Sequence, residues 1–141
     1  MLPASFTTAA LVACQVLGAP LTVEEALRGD GQTADCSSAI QQALDAVAAS
    51  GGGILELASG RFPLRGPITV PPGVTLRGQW DGPHYSSLTR GTVLEVLWGA
   101  GQEQGPPQFM LGESSTLRGL TVFYPEQRVD DIQPYPWTVQ G

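Results

Sequence analysis

The residue types able to do chemistry gather in one stretch, residues 124–137, YPEQRVDDIQPYPW. Glu126, Asp130 and Asp131 stand there among Tyr124, Tyr135 and Trp137, between prolines. Aromatic faces stack on sugar rings, and carboxylates accept hydrogen bonds from hydroxyls or hold calcium through oxygen. These six residues are the candidate substrate-binding set. The competing account is a proline-stiffened surface loop with its aromatics packed on the flank. Trp80, Tyr85 and Trp98 form a second aromatic rim, for which an ordinary core or loop role competes more strongly. Catalytic residues are not assignable. Glycoside hydrolysis needs two carboxyls across the scissile bond, and elimination needs a base with an electrophile. No spacing in this chain singles out such a set.

Other chemistries are disfavoured by composition. His84 is the single histidine and lies in a turn-like loop, WDGPHYSS, without a metal-ligating neighbour. Cys14 and Cys36 are the only cysteines, which excludes a disulfide framework and a structural zinc site. Net charge is −6, and all seven basic residues are arginines without a basic cluster. Nucleic acid is therefore an unsuitable partner, because phosphate neutralisation needs grouped Lys and Arg. The triplet Gly51-Gly52-Gly53 follows a helix rather than preceding one, so it is a stop signal and not a phosphate cradle. No cofactor motif is evident, and no metal ligand set is assigned.

The elements that must position the candidates are of two kinds. Asp35, with a second start at Ser38 and Gln41, opens a helix over residues 38–50. Its apolar stripe is Ile40, Ala43, Leu44 and Val47, at i, i+3, i+4 and i+7. From Ile54 the pattern changes to short apolar runs bounded by Gly, Pro or Ser. Strands are predicted at residues 54–57, 62–64, 68–70, 74–76, 93–97, 109–111, 116–124 and 137–139. Eighteen glycines and twelve prolines supply the turns. Leu-Arg-Gly recurs at residues 64–66, 76–78 and 117–119, and ITVPPGVTLRG (68–78) is echoed by FMLGESSTLRG (109–119). LRGPITV (64–70) is likewise echoed by LRGLTV (117–122). Thr75 and Thr116 are 41 residues apart, close to two coils of about 20 residues. Stacked short strands with glycine at the bends describe a β-solenoid.

Residues 1–19, MLPASFTTAALVACQVLGA, are apolar but interrupted by Thr7, Thr8 and Gln15, so they do not make a membrane span. They read as a secretory leader ending before Pro20, without the usual positive flank, or as an ordinary buried segment or a misplaced start. Residues 11–14, LVAC, match a bacterial lipobox in which Cys14 would be acylated. The division that follows is residues 1–20 as a leader segment and 21–141 as one domain.

The run GDGQTAD (29–35), the helix AIQQALD (39–45) and GGGILELASGRFPLRGPITVPPGVTLRG (51–78) together resemble the N-terminal part of the pectate-lyase-like superfamily. More narrowly they resemble its rhamnogalacturonase/epimerase-like domain. The likeness covers residues 21–101, and Ala34-Asp35 stands where that family often shows two acidic residues. It implies an all-β fold, a right-handed single-stranded parallel β-helix of about three to four coils with an N-terminal amphipathic capping helix. It also implies an extracellular or cell-surface protein acting on polysaccharide as a lyase or hydrolase, with calcium a cofactor in some full-length members. Since members run for many more coils, the chain reads as truncated after Gly141 and as lacking the catalytic residues. The alternative is a non-catalytic solenoid for glycan binding, adhesion or a structural stalk.

Overall fold

The computed structural model describes residues 15–16, 19–20, 35–80 and 90–141. Within the N-terminal segment, β1 (Gln15–Val16) and β2 (Ala19–Pro20) pair antiparallel. The remainder of the leader reading, with Asp30, His84 and Tyr85, lies outside the described residues. Then come α1 (Ser37–Ala49), β3 (Gly53–Glu56), β4 (Gly60–Leu64), β5 (Ile68–Val70), β6 (Val74–Arg77), β7 (Thr92–Val96), β8 (Phe109–Leu111), β9 (Thr116–Arg118), β10 (Leu120–Phe123) and β11 (Val139–Gln140). Among the described residues no helix is long and apolar enough to cross a membrane.

The fold is all-β with parallel strands and one helix. Three sheets of three strands have the orders β3-β6-β9, β4-β7-β10 and β5-β8-β11. The chain therefore visits the first, second and third sheet in rotation, three times over. Each strand is only three to five residues long, apart from the two-residue β11. A strand that short alternates side chains in and out with period two, so it sends two or three residues inward. β5 shows the rule, with Ile68 and Val70 buried and Thr69 exposed.

Register turns those inward residues into three ladders, Leu55–Leu76–Leu117, Phe62–Leu94–Val122 and Ile68–Phe109–Val139. The first two rungs of each are sealed in one apolar core, while Leu117 and Val122 are half-buried and Val139 is exposed. Burial of this apolar area is the main favourable term in folding. Backbone groups at the corners continue the pairing from circuit to circuit, as in Leu57 N–H to Arg77 O (2.8 Å) and Leu97 N–H to Leu64 O (2.8 Å). That leaves few buried polar groups unmatched, as a corner-rich chain requires.

Register also corrects two expectations. Thr75 pairs directly with Thr116, so those 41 residues make one circuit and not two. The surplus length lies in the long connections after β6 and β7. The echo of residues 68–78 at 109–119 is a true stacking, since Ile68 pairs with Phe109 and Thr75 with Thr116. The echo of LRGPITV at LRGLTV is not, because Leu64 pairs with Val96 in the second sheet and Leu117 with Leu76 in the first. The strand expected over residues 116–124 is broken by Gly119, whose φ of +67° turns the chain from the first sheet into the second.

Helix α1 lies against β3, β5 and β6, with Ile40, Leu44 and Val47 in the core. Gly51 and Gly52 (φ +101° and +92°) end it, their N–H groups donating to Ala48 O and Val47 O. The capping box is absent. Gln41 pins the helix to β5 instead, accepting from Thr69 N–H (2.8 Å) and donating to Thr69 O (3.0 Å). The N-cap is Cys36, which makes no side-chain capping bond and is disulfide-bonded. The only other cysteine in the sequence, Cys14, lies outside the described residues.

Asp35 stands one residue before the cap and accepts from Ser37 N–H (2.9 Å) and Arg65 N–H (3.1 Å). Partial burial pushes this carboxyl up. The hydrogen bonds from Ser37 and Arg65, and the Arg65 charge, outweigh that and hold it below its ordinary value of 3.8. A lowered acid stabilises the fold above the ordinary carboxylate range and loses that contribution as pH falls through its folded pKa. Asp35→Asn should therefore cost about 1 kcal/mol at neutral pH, moderated by solvent screening, and nothing near about pH 2. Urea unfolding at both pH values checks this; an equal loss at both would refute the electrostatic account.

Candidate functional site

The loop from β10 to β11 is held to the loop from β7 to β8 along one flank. Pro136, buried, fits against Gly99 and Gly105, where an added Cβ would stand 3.0 Å from the proline ring at either glycine. Gly101 N–H donates to Pro134 O (2.8 Å), and Gln108 N–H donates to Trp137 O (2.9 Å). Buried Gln108 also accepts from Trp98 Nε1 and donates to Gly66 O (3.2 Å). Trp98 thus braces Gln108 within the β7–β8 connection, and Gln108 carries the link to the first circuit.

Between the two loops lies an open groove of about 590 Å³, walled by Glu103 and Gln104 on one side and Tyr135, Trp137, Thr138 and Gln140 on the other. Trp137 is 75% exposed although its backbone carbonyl is held by Gln108. Tyr135 meets Tyr124 edge to face, with ring centroids 4.8 Å apart and planes at 68°. The hydroxyls of Tyr124 and Thr138 share a hydrogen bond of 2.8 Å, so Tyr124 braces Tyr135 from behind. The Tyr135 hydroxyl oxygen is buried and has no hydrogen-bond partner. Its pKa is raised above 10.0, first by burial and then by the charge of Glu126 and by Tyr124. At neutral pH it is a proton donor and not a base.

The six predicted residues therefore separate. Tyr135 and Trp137 line the groove, and Tyr124 supports them. Glu126 is exposed outside the lining and acts on Tyr135 only through its field. Asp130 pairs with Arg128 (3.5 Å), and Asp131 accepts from Gln133 Nε2 (2.7 Å). Gln127 closes this tip by accepting from Gln133 N–H (3.0 Å) and donating to Gln133 O (3.1 Å). The two aspartates thus shape the loop tip and do not converge on an oxygen cage. No group of three or more His, Cys, Asp or Glu suited to a metal is found among the described residues. Sequence reasoning missed Glu103 and Gln104, which sit in GAGQEQGPP without any periodic or motif signal. Only the stacking of β8 on β11 brings them opposite Trp137.

An exposed indole in an open groove, with amide and carboxylate side chains opposite, can stack a ring and hydrogen-bond its hydroxyls. No protein family, no curated protein and no solved structure matches the chain, and the assignment of a function rests on this geometry.

Proposed function

We propose that the chain is the N-terminal cap and first coils of a right-handed parallel β-helix belonging to a secreted carbohydrate-active protein, and that the groove at Trp137 binds polysaccharide. Rotation of the strands through three sheets, with an amphipathic helix packed on the first circuit, supports the coil reading. The observation that carries the binding role is the exposed Trp137 indole in an open groove, opposite Glu103 and Gln104. A sugar ring face would lie on the indole while its hydroxyls bond the Glu103 carboxylate and the Gln104 amide opposite.

Binding, rather than bond cleavage, is the role these groups fit. Tyr135 keeps its proton, and the two aspartates are engaged in the loop tip. Lyase or hydrolase activity of the whole protein would draw on other residues. Calorimetric titration with neutral oligosaccharides tests the proposal. Trp137→Ala should weaken binding about tenfold, and Gln104→Ala should weaken it less, by one hydrogen bond. Binding unaffected by Trp137→Ala would refute the groove. Product release from polysaccharide by the 141-residue protein would refute the division between binding and cleavage.

A further inference from the structure

The recurrent Leu-Arg-Gly tripeptide does more than mark strand ends. Register stacks Glu56, Arg77 and Arg118 in one outward ladder on the first sheet. Neighbouring rungs in such a sheet lie about 4.8 Å apart. Like charges at adjacent rungs repel. Glu56 neutralises Arg77 through a 2.7 Å ion pair, and no ion pair to exposed Arg118 is found among the described residues. In a chain of net charge −6, this rung holds a cation without a described counter-charge.

The same tripeptide shapes the surface beside it. Gly78 and Gly119 follow the two arginines and are packed so closely that a Cβ on Gly119 would stand 2.6 Å from Gly78 O. The corner itself is therefore filled by backbone and by its neighbours. An open groove of about 490 Å³ lies over this corner, bounded by Arg77, Arg118 and Trp80, the last 62% exposed. It lies where the first sheet passes into the second, whereas the Trp137 groove lies beside the third.

We propose that this groove is a second ligand site, for a sugar ring carrying an oxyanion. Arg118 would take the anionic group, in the bidentate geometry that guanidinium offers to carboxylate and sulfate alike. Arg77, held by Glu56, adds a second donor one rung away, and Trp80 supplies the stacking face. The choice of a sugar ring rests on the polysaccharide reading above, while the anionic requirement rests on the arginine ladder alone.

The test titrates the full chain with three oligosaccharides of equal length: one of uronic acids, one O-sulfated and one neutral. Binding is followed by calorimetry and by the Trp80 indole NMR signal. The anionic probes should shift that signal with an affinity that falls as salt rises. Arg118→Gln and Trp80→Ala should each weaken them about tenfold, while neutral-probe binding at Trp137 is unchanged. Whichever anionic probe binds more tightly identifies the source of the oxyanion. Anionic binding indifferent to Arg118→Gln, or a neutral probe shifting Trp80 equally, overturns the proposal. Neutral binding at Trp137 with no anionic binding at Trp80 removes this site alone, and binding of no probe at either groove removes the polysaccharide reading with it.

Discussion

Leu44→Asp is expected to abolish cooperative folding. Leu44 is wholly buried at the centre of the helix stripe, between Ile40 and Val47, against β3, β5 and β6. A carboxylate there would be unpaired in an apolar site, a cost of several kcal/mol even after the group takes up a proton. The helix would have to detach and leave Leu55, Ile68, Val74 and their neighbours open to water. Against a total stability of about 5–15 kcal/mol, that loss is decisive. Leu44→Ala, which leaves only a cavity, should cost about 2–5 kcal/mol. Gln42→Asp, on the exposed face of the same helix, should cost little. Thermal melting by circular dichroism with size-exclusion chromatography distinguishes the three. A monomeric Leu44→Asp protein with a sharp melt near the wild-type temperature would remove the helix from its role as cover.

Gly78→Ala is the second large expectation, and its control lies in another copy of the same tripeptide. A Cβ at Gly78 would stand 2.5 Å from Leu120 Cδ2, 2.6 Å from Gly119 O and 2.7 Å from Thr92 Cβ. The leucine tip can rotate away, but a carbonyl and a Cβ fixed in β7 cannot. Gly78 N–H also donates to Arg118 O (2.8 Å), so moving the backbone sacrifices a bond between circuits. Overpacking of this kind costs about 1–3 kcal/mol, and more when backbone must shift. Gly66, the last residue of the first Leu-Arg-Gly, has its nearest neighbour, Ser37 Cβ, at 4.0 Å from an added Cβ and no positive φ. Gly66→Ala should be neutral or stabilising by about 0.4–1 kcal/mol through the unfolded chain. Urea denaturation ranks the two. Equal midpoints would mean that the corners of adjacent circuits do not touch as described.

These two glycines show how far sequence carries. Both end the same tripeptide, so no local reading separates them. Gly66 turns the chain out of the second sheet, while Gly78 sits beneath Gly119 at the corner of the first. The 41-residue echo was likewise legible, but its meaning was not, because loop length does not alter strand pairing. A long connection and two short circuits look alike until register is known.

The groove at Trp137 divides in the same way. Tyr135 and Trp137 were legible because neighbours in sequence remain neighbours in space, whereas Glu103 and Gln104 reach the groove only through circuit stacking. Asp130 and Asp131 looked available as ligands, yet Arg128 and Gln133 engage them, and partners of that kind depend on how a loop closes. Sequence alone determined the helix with its apolar stripe, the glycine stop and the run of short strands, since each rests on periodicity or turn chemistry within a few residues. Tertiary structure alone decided which strands pair, which arginines stack and which side chains face one groove, because register is set by the packing of residues tens of positions apart.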